Sequence, residues 1–169
     1  CKMADKTIVF GVNHKKINKN DKIISAASCT TNCLAPVADV INKNFIILNG
    51  FMTTIHAFTS DQRILDNSHK DPRRARSASQ SIVPTSTGAS KAIGEIIPSL
   101  KGKLEGVAMR VPIPNVSLVE FIFNVKKQIS IKKLNHSLYL ASKKELKNIL
   151  DITNEKLVSI DFNHNRASA

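Results

Sequence analysis

The sequence predicts an α+β domain in which helices cover a largely antiparallel or mixed β-sheet. Runs of β-branched and aromatic residues outnumber the gaps that could hold crossover helices, which disfavours a doubly wound parallel fold. Only a few segments place apolar residues at helical spacing, and the main ones follow a Ser or Thr that can cap a helix. Together these observations favour a sheet with helices added to it.

The residue pattern of the first part of the chain predicts short strands and one amphipathic helix. Strands are expected over residues 7–12, 23–27, 46–48 and 51–58, the last two separated at Asn49-Gly50. Between them, the polar run around Ser28 can cap a helix whose apolar residues Leu34, Val37 and Ile41 share one face. Pro36 is tolerated in this helix because it lies near the first turns.

The remaining chain begins with an irregular segment over residues 60–81, which is polar and Arg-rich. A long irregular segment in a compact domain is usually functional. Helices are expected from residues 86–88 to Ile97, where Pro98 ends the helix, and from Ser130 to about Ser142, with a short one following to Leu150. Strands are expected over residues 104–111, 116–125 and 157–161.

Length and composition exclude several classes of protein. The 169 residues, 42% of them hydrophobic, suffice for one globular domain with a core. No run approaches the ~18 apolar residues of a membrane span, and the chain does not start like a signal peptide. The cysteines Cys1, Cys29 and Cys33 form neither a disulfide framework nor a paired zinc motif. We therefore expect a cytoplasmic protein without a metal site.

Cys29 is the first candidate for chemistry. It lies at a predicted strand-to-helix junction, where free backbone N–H groups and the helix dipole stabilise an anion and lower the pKa of a thiol. On this residue alone, a buried structural cysteine is equally compatible. Cys33 lies one helical turn further, at a Cβ separation of roughly 5–6 Å, and is expected in the core.

His56 is the second candidate, at the end of the strand-forming run 52–55. A lone histidine is more often structural than catalytic. Contact with Cys29 would change that interpretation, because an imidazole beside a thiol activates the sulfur nucleophile. The sequence does not show whether the two side chains meet.

Several separate segments suit an anion. Ser28 and Thr30 flank the cysteine, Ser86-Thr87-Gly88 begins a predicted helix, and Arg110 follows a predicted strand. Hydroxyls and N–H groups at a helix start bind phosphate, and Arg adds a bidentate fork. Combined with Cys29, these segments indicate a cysteine enzyme with a phosphorylated substrate.

Residues 25–36 (SAASCTTNCLAP) closely resemble the active-site signature of the glyceraldehyde-3-phosphate dehydrogenase family. Further segments resemble the same family in the same order: 52–57 (MTTIHA), 69–71 (HKD) with 73–76 (RRAR), 84–89 (PTSTGA), 110–112 (RVP) with 114–117 (PNVS), and 159–163 (SIDFN). The resemblance runs nearly from end to end.

The resemblance implies a role for each matching residue. Cys29 would attack the aldehyde of glyceraldehyde 3-phosphate, and His56 would take the hydroxyl proton as hydride leaves for NAD. Inorganic phosphate would then attack the resulting thioester and release its acyl group as 1,3-bisphosphoglycerate. The substrate phosphate would be bound by Thr59, Asp61 and Arg110. Inorganic phosphate would be bound by Ser28, Thr30, Thr87 and Gly88.

The resemblance also implies a domain organisation. Residues 1–27 would contain the end of a dinucleotide-binding domain and the strands that lead into the next domain. Residues 28–169 would be a catalytic domain truncated at its C-terminal end. No G-x-G-x-x-G occurs, so the main cofactor site is expected outside this chain. NADP is possible beside NAD, because Asn67-Ser68 departs from the family's usual Leu-Pro. We expect a homotetramer at full length and no activity from this segment alone.

Two alternatives stay open. Erythrose-4-phosphate dehydrogenase shares the cysteine motif but departs from Ser-Thr-Gly, which is intact here at residues 86–88. The net charge of +12 allows an RNA-binding or scaffold role for the basic surface. Aromatic residues are not interleaved with the basic ones, and only residues 73–76 are dense in Arg, so we do not expect nucleic acid. Arg residues in one loop beside Cys29 would favour catalysis, whereas a continuous stripe with residues 126–147 would favour nucleic acid.

Overall fold

The α+β class is confirmed by the computed structural model, which describes residues 3–169; Cys1 lies outside the described residues. The helices are α1 (Cys29–Phe45), α2 (Ala89–Ile96) and α3 (Ile131–Lys143). The strands are β1 (Lys6–Thr7), β2 (Ile24–Ser25), β3 (Ile47–Ala57), β4 (Val83–Ser86), β5 (Leu104–Val111) and β6 (Ser117–Val125). None of the helices in this range is long and apolar enough to cross a membrane.

The main sheet is mixed and has the strand order β4-β5-β3-β6. Strand β3 pairs with β5 in parallel and with β6 antiparallel, and β4 pairs with β5 antiparallel. The long connection between β3 and β5 carries both the irregular segment and α2, as a parallel pair requires. Strands β1 and β2 form a separate parallel pair of two residues each.

Helices α1 and α2 pack on one face of this sheet and bury the core. Leu34, Ala38 and Ile41 of α1 meet Ile93 of α2 and Met52 of β3, all of them fully or almost fully buried. Ser28 caps α1, because its Oγ accepts a hydrogen bond of 3.2 Å from the Thr31 amide. This packing fixes the first turn of α1 above the sheet.

The opposite face of the sheet is open within the described residues. Phe51 of β3 and Ile122 of β6 are register partners on this face, with 40% and 64% of their surfaces exposed. Leu118, further along β6 on the same face, is 57% exposed. Apolar side chains on this face of the sheet are therefore exposed in the described residues.

Two predicted strands near the start of the chain are shorter than expected. Only Thr7 of the predicted strand 7–12 pairs in β1, which begins one residue earlier at Lys6. The Asn13 side chain takes up the next backbone groups, because Oδ1 accepts from the Val9 amide and Nδ2 donates to the Thr7 carbonyl. The predicted strand 23–27 ends at Ser25, since Ala27 has a positive φ of 62° and turns the chain into α1.

The predicted break at Asn49-Gly50 is wrong. Strand β3 runs through it as one element, and the irregularity is a register shift between Ile47 and Asn49 against β6. A β-bulge absorbs the extra residue without ending the strand. Gly50 is tolerated within β3 because the Phe121 ring and the Leu104 side chain occupy the space where a side chain would stand.

Two predicted elements near the C-terminus are also wrong. Residues 144–149 form turns rather than a helix, with Asn148 at a positive φ of 65°. The predicted strand 157–161 is instead a 3₁₀ helix at Ser159–Phe162, where the Asp161 carboxylate accepts from the Val158 amide. No neighbouring strand in the described residues pairs with it, so local hydrogen bonding decides its conformation.

Close packing of β3 on β5 leads to a stability prediction. A Cβ at Gly106 would lie 2.6 Å from Met52 Cγ and 2.7 Å from the Met52 carbonyl oxygen. Because the backbone cannot withdraw without disturbing the strand pair, we expect Gly106→Ala to cost about 1–3 kcal/mol. The thermal midpoint of the full-length protein measures this. Gly88→Ala is the control, since a Cβ added there would meet no atom within 4 Å; equal midpoints for the two variants would contradict the prediction.

Candidate active site

A cavity of 510 Å³ opens where the first turn of α1 faces the ends of β3 and β5. Its wall includes eight of the nine residues that the sequence singled out: Ser28, Cys29, Thr30, His56, Thr59, Thr87, Gly88 and Arg110. Asp61 does not line it. The fold therefore brings together residues as far apart in the chain as Ser28 and Arg110, in a space large enough for a small phosphorylated molecule.

Cys29 and His56 are in direct contact. The Sγ atom of Cys29 lies 3.1 Å from Nε2 of His56. This hydrogen bond is the main reason that the pKa of the Cys29 thiol falls to about 7, against an opposing effect of partial burial. Hydrogen bonds from the Thr30 amide and hydroxyl also lower this pKa, by smaller amounts. A substantial fraction of Cys29 is therefore thiolate near neutral pH.

The backbone around Ala27 presents Cys29 to the cavity. Ala27 adopts a positive φ, Ser28 is the N-cap, and Cys29 is the first residue of α1. The first-turn N–H groups of a helix have no intrahelical partner, and their dipoles stabilise a negative charge. The same turn thus supports both a thiolate and a nearby anion.

His56 is buried at the end of β3, with 8% of its surface exposed. Its Nδ1 lies 2.7 Å from the Ala57 carbonyl oxygen and 2.6 Å from Nη1 of Arg110. Arg110 is the direct register partner of His56 on β5, so both side chains leave the sheet on the same face. The ring is therefore held through Nδ1, and its Nε2 faces Cys29.

Arg110 has no carboxylate partner within residues 3–169. Its Nη1 donates to the Ala57 carbonyl at 2.8 Å, and its pKa is lowered, first by burial and then by the charge of Arg74. Asp61 does not pair with Arg110, because its carboxylate accepts a hydrogen bond from Arg74. A half-buried guanidinium without a counter-ion at a cavity wall is available to an anionic ligand.

Asp61 belongs to a network centred on Arg74. Arg74 Nη1 donates to the Asp61 carboxylate, while Nε and Nη2 donate to the Thr85 hydroxyl at 3.1 and 2.8 Å. His69 Nε2 lies 3.8 Å from the same carboxylate. The Arg74 hydrogen bond is the main cause of a lowered pKa at Asp61. Direct contact of Asp61 with a substrate phosphate stays a prediction, and in this structure Asp61 positions Arg74.

Arg74 is one of the residues of the cavity wall that the sequence did not single out. It was visible only as part of a dense Arg cluster, and nothing in the cluster distinguishes it from its neighbours. Arg73 is exposed, and Arg76 pairs with Asp66 at the surface. Thr54 was also missed; its buried hydroxyl has no hydrogen-bond partner in the described range and lies against the cavity.

Two helix starts contribute hydroxyl groups to the cavity. Ser28 Oγ lies 2.7 Å from Thr31 Oγ1, and Thr87 Oγ1 accepts from the Ala89 amide at 3.2 Å. Gly88 is the N-cap of α2 and has no neighbour where a Cβ would stand, which leaves its backbone accessible. Two helix starts that face one cavity suit an anion such as phosphate. Within residues 3–169, no cluster of His, Cys, Asp and Glu is placed to hold a metal ion.

Comparison with known proteins gives consistent matches. The family model described as glyceraldehyde 3-phosphate dehydrogenase, C-terminal domain, matches residues 28–169. Proteins named glyceraldehyde-3-phosphate dehydrogenase from Xanthobacter flavus and Geobacillus stearothermophilus are each 52% identical, over 98% and 100% of this chain. Glyceraldehyde-3-phosphate dehydrogenase 2 from a Nostoc species is 54% identical over 99%. The chain spans about half the length of these relatives, 50%, 51% and 50% respectively.

The contact with His56 predicts that Cys29 is far more reactive than Cys33. Burial and the neighbouring Cys29 raise the pKa of Cys33, whereas that of Cys29 is about 7. In the full-length protein, peptide mapping should therefore show iodoacetamide alkylation that rises with pH and levels off above 7 at Cys29 alone. His56→Asn should slow labelling at pH 7 roughly tenfold, because the thiol regains an ordinary pKa. Preferential labelling of Cys33 would refute the assignment.

Proposed function

The chain belongs to the glyceraldehyde-3-phosphate dehydrogenase family, and from that premise we propose that the full-length protein converts glyceraldehyde 3-phosphate, inorganic phosphate and NAD(P)⁺ into 1,3-bisphosphoglycerate. The observation that carries the proposal is the 3.1 Å contact between Cys29 Sγ and His56 Nε2. Helix-start hydroxyls and Arg110 surround that contact in one cavity. A thiolate, a base and anion donors are the groups this reaction needs.

Cys29 forms the covalent intermediates. Its thiolate attacks the aldehyde carbon, and the carbonyl electrons become an oxyanion, which gains a proton to give a hemithioacetal. His56 Nε2 then removes that hydroxyl proton as the carbon loses a hydride, and a thioester remains on Cys29. Oxygen of inorganic phosphate attacks the thioester carbonyl, the C–S bond breaks, and the acyl phosphate leaves with Cys29 again a thiolate.

The described residues do not by themselves hold a dinucleotide. They include no Gly-rich strand–turn–helix for a pyrophosphate, so we propose that the main cofactor site lies outside this chain. When bound, NAD(P)⁺ supplies the hydride acceptor. What this chain contributes is the nucleophile, the base and the open cavity in front of them.

The phosphate groups are assigned by the anion donors of the cavity. We assign the substrate phosphate to Arg110 and Thr59, with Asp61 acting through Arg74, and inorganic phosphate to Ser28, Thr30, Thr87 and Gly88. Thr87 and Gly88 lie at the start of α2 and line the same cavity as Cys29. Because the Ser-Thr-Gly segment is intact, the triose substrate is favoured over erythrose 4-phosphate.

The basic surface does not require a nucleic-acid partner. Arg74 is engaged with Asp61 and Thr85 at the cavity wall, and Arg76 pairs with Asp66 in the same loop. The place of Arg74 in the wall of the cavity that holds Cys29 supports catalysis over an RNA-binding role. We further propose a cytoplasmic homotetramer. The exposed apolar side chains on the open sheet face, Phe51, Leu118 and Ile122, are available for such contacts.

The function is tested by trapping the thioester. Full-length protein mixed with glyceraldehyde 3-phosphate and NAD⁺ but no phosphate should gain one acyl group on Cys29, detected by mass spectrometry, which added phosphate removes. His56→Asn should slow the acylation by ~10²–10⁴-fold, since general-base help is lost. Cys33→Ser should acylate normally as the control. Acylation that persists in Cys29→Ser, or no acylation at all, would refute the proposal.

The substrate-phosphate assignment predicts selectivity at Arg110. Arg110→Ala should lower kcat/KM for glyceraldehyde 3-phosphate by roughly tenfold or more, because a charge-assisted contact contributes about 1.5–3 kcal/mol. The change with unphosphorylated glyceraldehyde should be much smaller, so the ratio of the two values falls. Arg110→Lys should recover only part of it, because lysine keeps the charge but loses the fork. An unchanged ratio would show that Arg110 does not bind the phosphate.

A further inference from the structure

The chain enters α1 through one residue in an unfavourable backbone conformation. Ala27, two residues before Cys29, has a φ of 62°, in the left-handed region that residues with a Cβ rarely adopt. The next residue, Ser28, is the N-cap of α1. The conformation of Ala27 therefore decides the direction in which α1 begins, and with it the place of the Cys29 side chain.

The side chain of Asn32 bridges the peptide groups on either side of Ala27. Its Nδ2 donates hydrogen bonds to the Ala26 carbonyl at 2.8 Å and to the Ser28 carbonyl at 2.9 Å. An amide nitrogen carries two protons, so it can bind both carbonyls at the same time. The reversed orientation would place Oδ1 against two acceptors. Both donors of Asn32 are thus used to hold this turn.

The other side-chain contacts at the turn do not span Ala27. Ser25 Oγ accepts from the Ala27 amide at the longer distance of 3.3 Å. Ser28 Oγ accepts from the Thr31 amide, which caps the helix on the C-terminal side of Ala27. Of the side chains that the structure describes, Asn32 is the one bonded to carbonyls both before and after the left-handed residue.

Cys29 depends on this turn because its partner is fixed by other elements. His56 is buried at the end of β3, and its Nδ1 lies against the Ala57 carbonyl and Arg110. The ring cannot follow the sulfur if α1 begins in a different direction. A misplacement of about 1 Å at a reacting group can lower turnover by roughly 10²-fold. The 3.1 Å contact of Cys29 with His56 is therefore sensitive to the backbone at Ala27.

We propose that Asn32 is a positioning residue for the nucleophile, and that it acts by holding Ala27 in the left-handed conformation from which Cys29 meets His56. The proposal rests on the proposed function in one respect, the role of Cys29 as the nucleophile. Asn32 itself lies outside the cavity wall, so it acts through the backbone and not by contact with a substrate. The last residue of the run 28–32 (SCTTN) thereby acquires a role.

The first test is Asn32→Ala in the full-length protein. Without the two donors, Ala27 should relax toward a negative φ, and Cys29 should lose part of its contact with His56. Alkylation of Cys29 by iodoacetamide at pH 7 should slow severalfold, up to the roughly tenfold expected for His56→Asn. The rate should also level off at a higher pH, because the His56 contact is the main cause of the low Cys29 pKa. A loss of stability alone would not shift this pH profile.

The second test adds Ala27→Gly to the first variant. Glycine adopts a positive φ without steric cost, so the turn no longer needs the Asn32 side chain. The double variant Ala27→Gly/Asn32→Ala should regain an alkylation rate close to that of the wild type, and Ala27→Gly alone should keep it. If Asn32 only stabilised the helix, the added glycine would not restore the rate.

Asn44→Ala is the matched control. Asn44 lies at the other end of α1, and its Nδ2 donates to the Val40 carbonyl at 2.8 Å. This variant therefore also loses a hydrogen bond from a side-chain amide to the carbonyl four residues earlier, as Asn32→Ala does at Ser28. Because the bond is remote from Ala27, the alkylation profile of Cys29 should stay that of the wild type.

Acylation by glyceraldehyde 3-phosphate and NAD⁺ separates this proposal from the proposed function. Asn32→Ala should slow acylation by up to ~10²-fold with little change in KM, because Arg110 and Thr59 belong to β5 and to the loop after β3. An unchanged alkylation profile in Asn32→Ala, or no recovery on adding Ala27→Gly, would overturn the positioning role. A wild-type protein that fails to acylate would refute the proposed function instead.

Discussion

The parallel pairing of β3 with β5 is the constraint on which the site depends. It places His56 directly beside Arg110 and turns both side chains to the face that α1 and α2 cover. Side chains alternate between the two faces of a strand, so a shift of one residue would send both groups to the open face. Met52 and Gly106, packed against each other further along the same pair, help to fix the register. The chemistry at one end of the sheet is therefore held by packing at the other.

The second constraint is the first turn of α1. Core residues along the helix hold it on the sheet, and the Ser28 cap defines where it begins. Ala27 sits in a left-handed conformation immediately before, a state that costs on the order of 1–3 kcal/mol for a residue with a side chain. The cap and the buried face of the helix offset that cost. In return, the thiol of Cys29 stands at the end of the helix dipole and within reach of a ring that comes from another strand.

Local signals were enough to predict the elements whose ends are set by their own residues. The Ser28 and Ser130 caps mark α1 and α3, and the strand 104–111 was predicted with its observed bounds. The failures lie where distant or side-chain contacts decide the conformation. Asn13 binds the backbone groups that would have extended β1, and residues 157–161 pair with none of the strands that the structure describes. For the site, residue types and family resemblance indicated Cys29, His56 and Arg110. Their distances, and the capture of Asp61 by Arg74, follow from the register and from loop packing, which no local pattern encodes.

Because His56 follows Cys29 by 27 residues, the reactivity of the Cys29 thiol changes while the chain is being synthesised. Until β3 has been made and has docked beneath α1, the sulfur of Cys29 has the ordinary acidity of a cysteine in an unstructured peptide and reacts slowly with electrophiles and oxidants. The guanidinium arrives later still, after a further 54 residues. The chain therefore leaves the ribosome with a thiol of ordinary reactivity, and this thiol becomes strongly nucleophilic only after His56 has docked beside it.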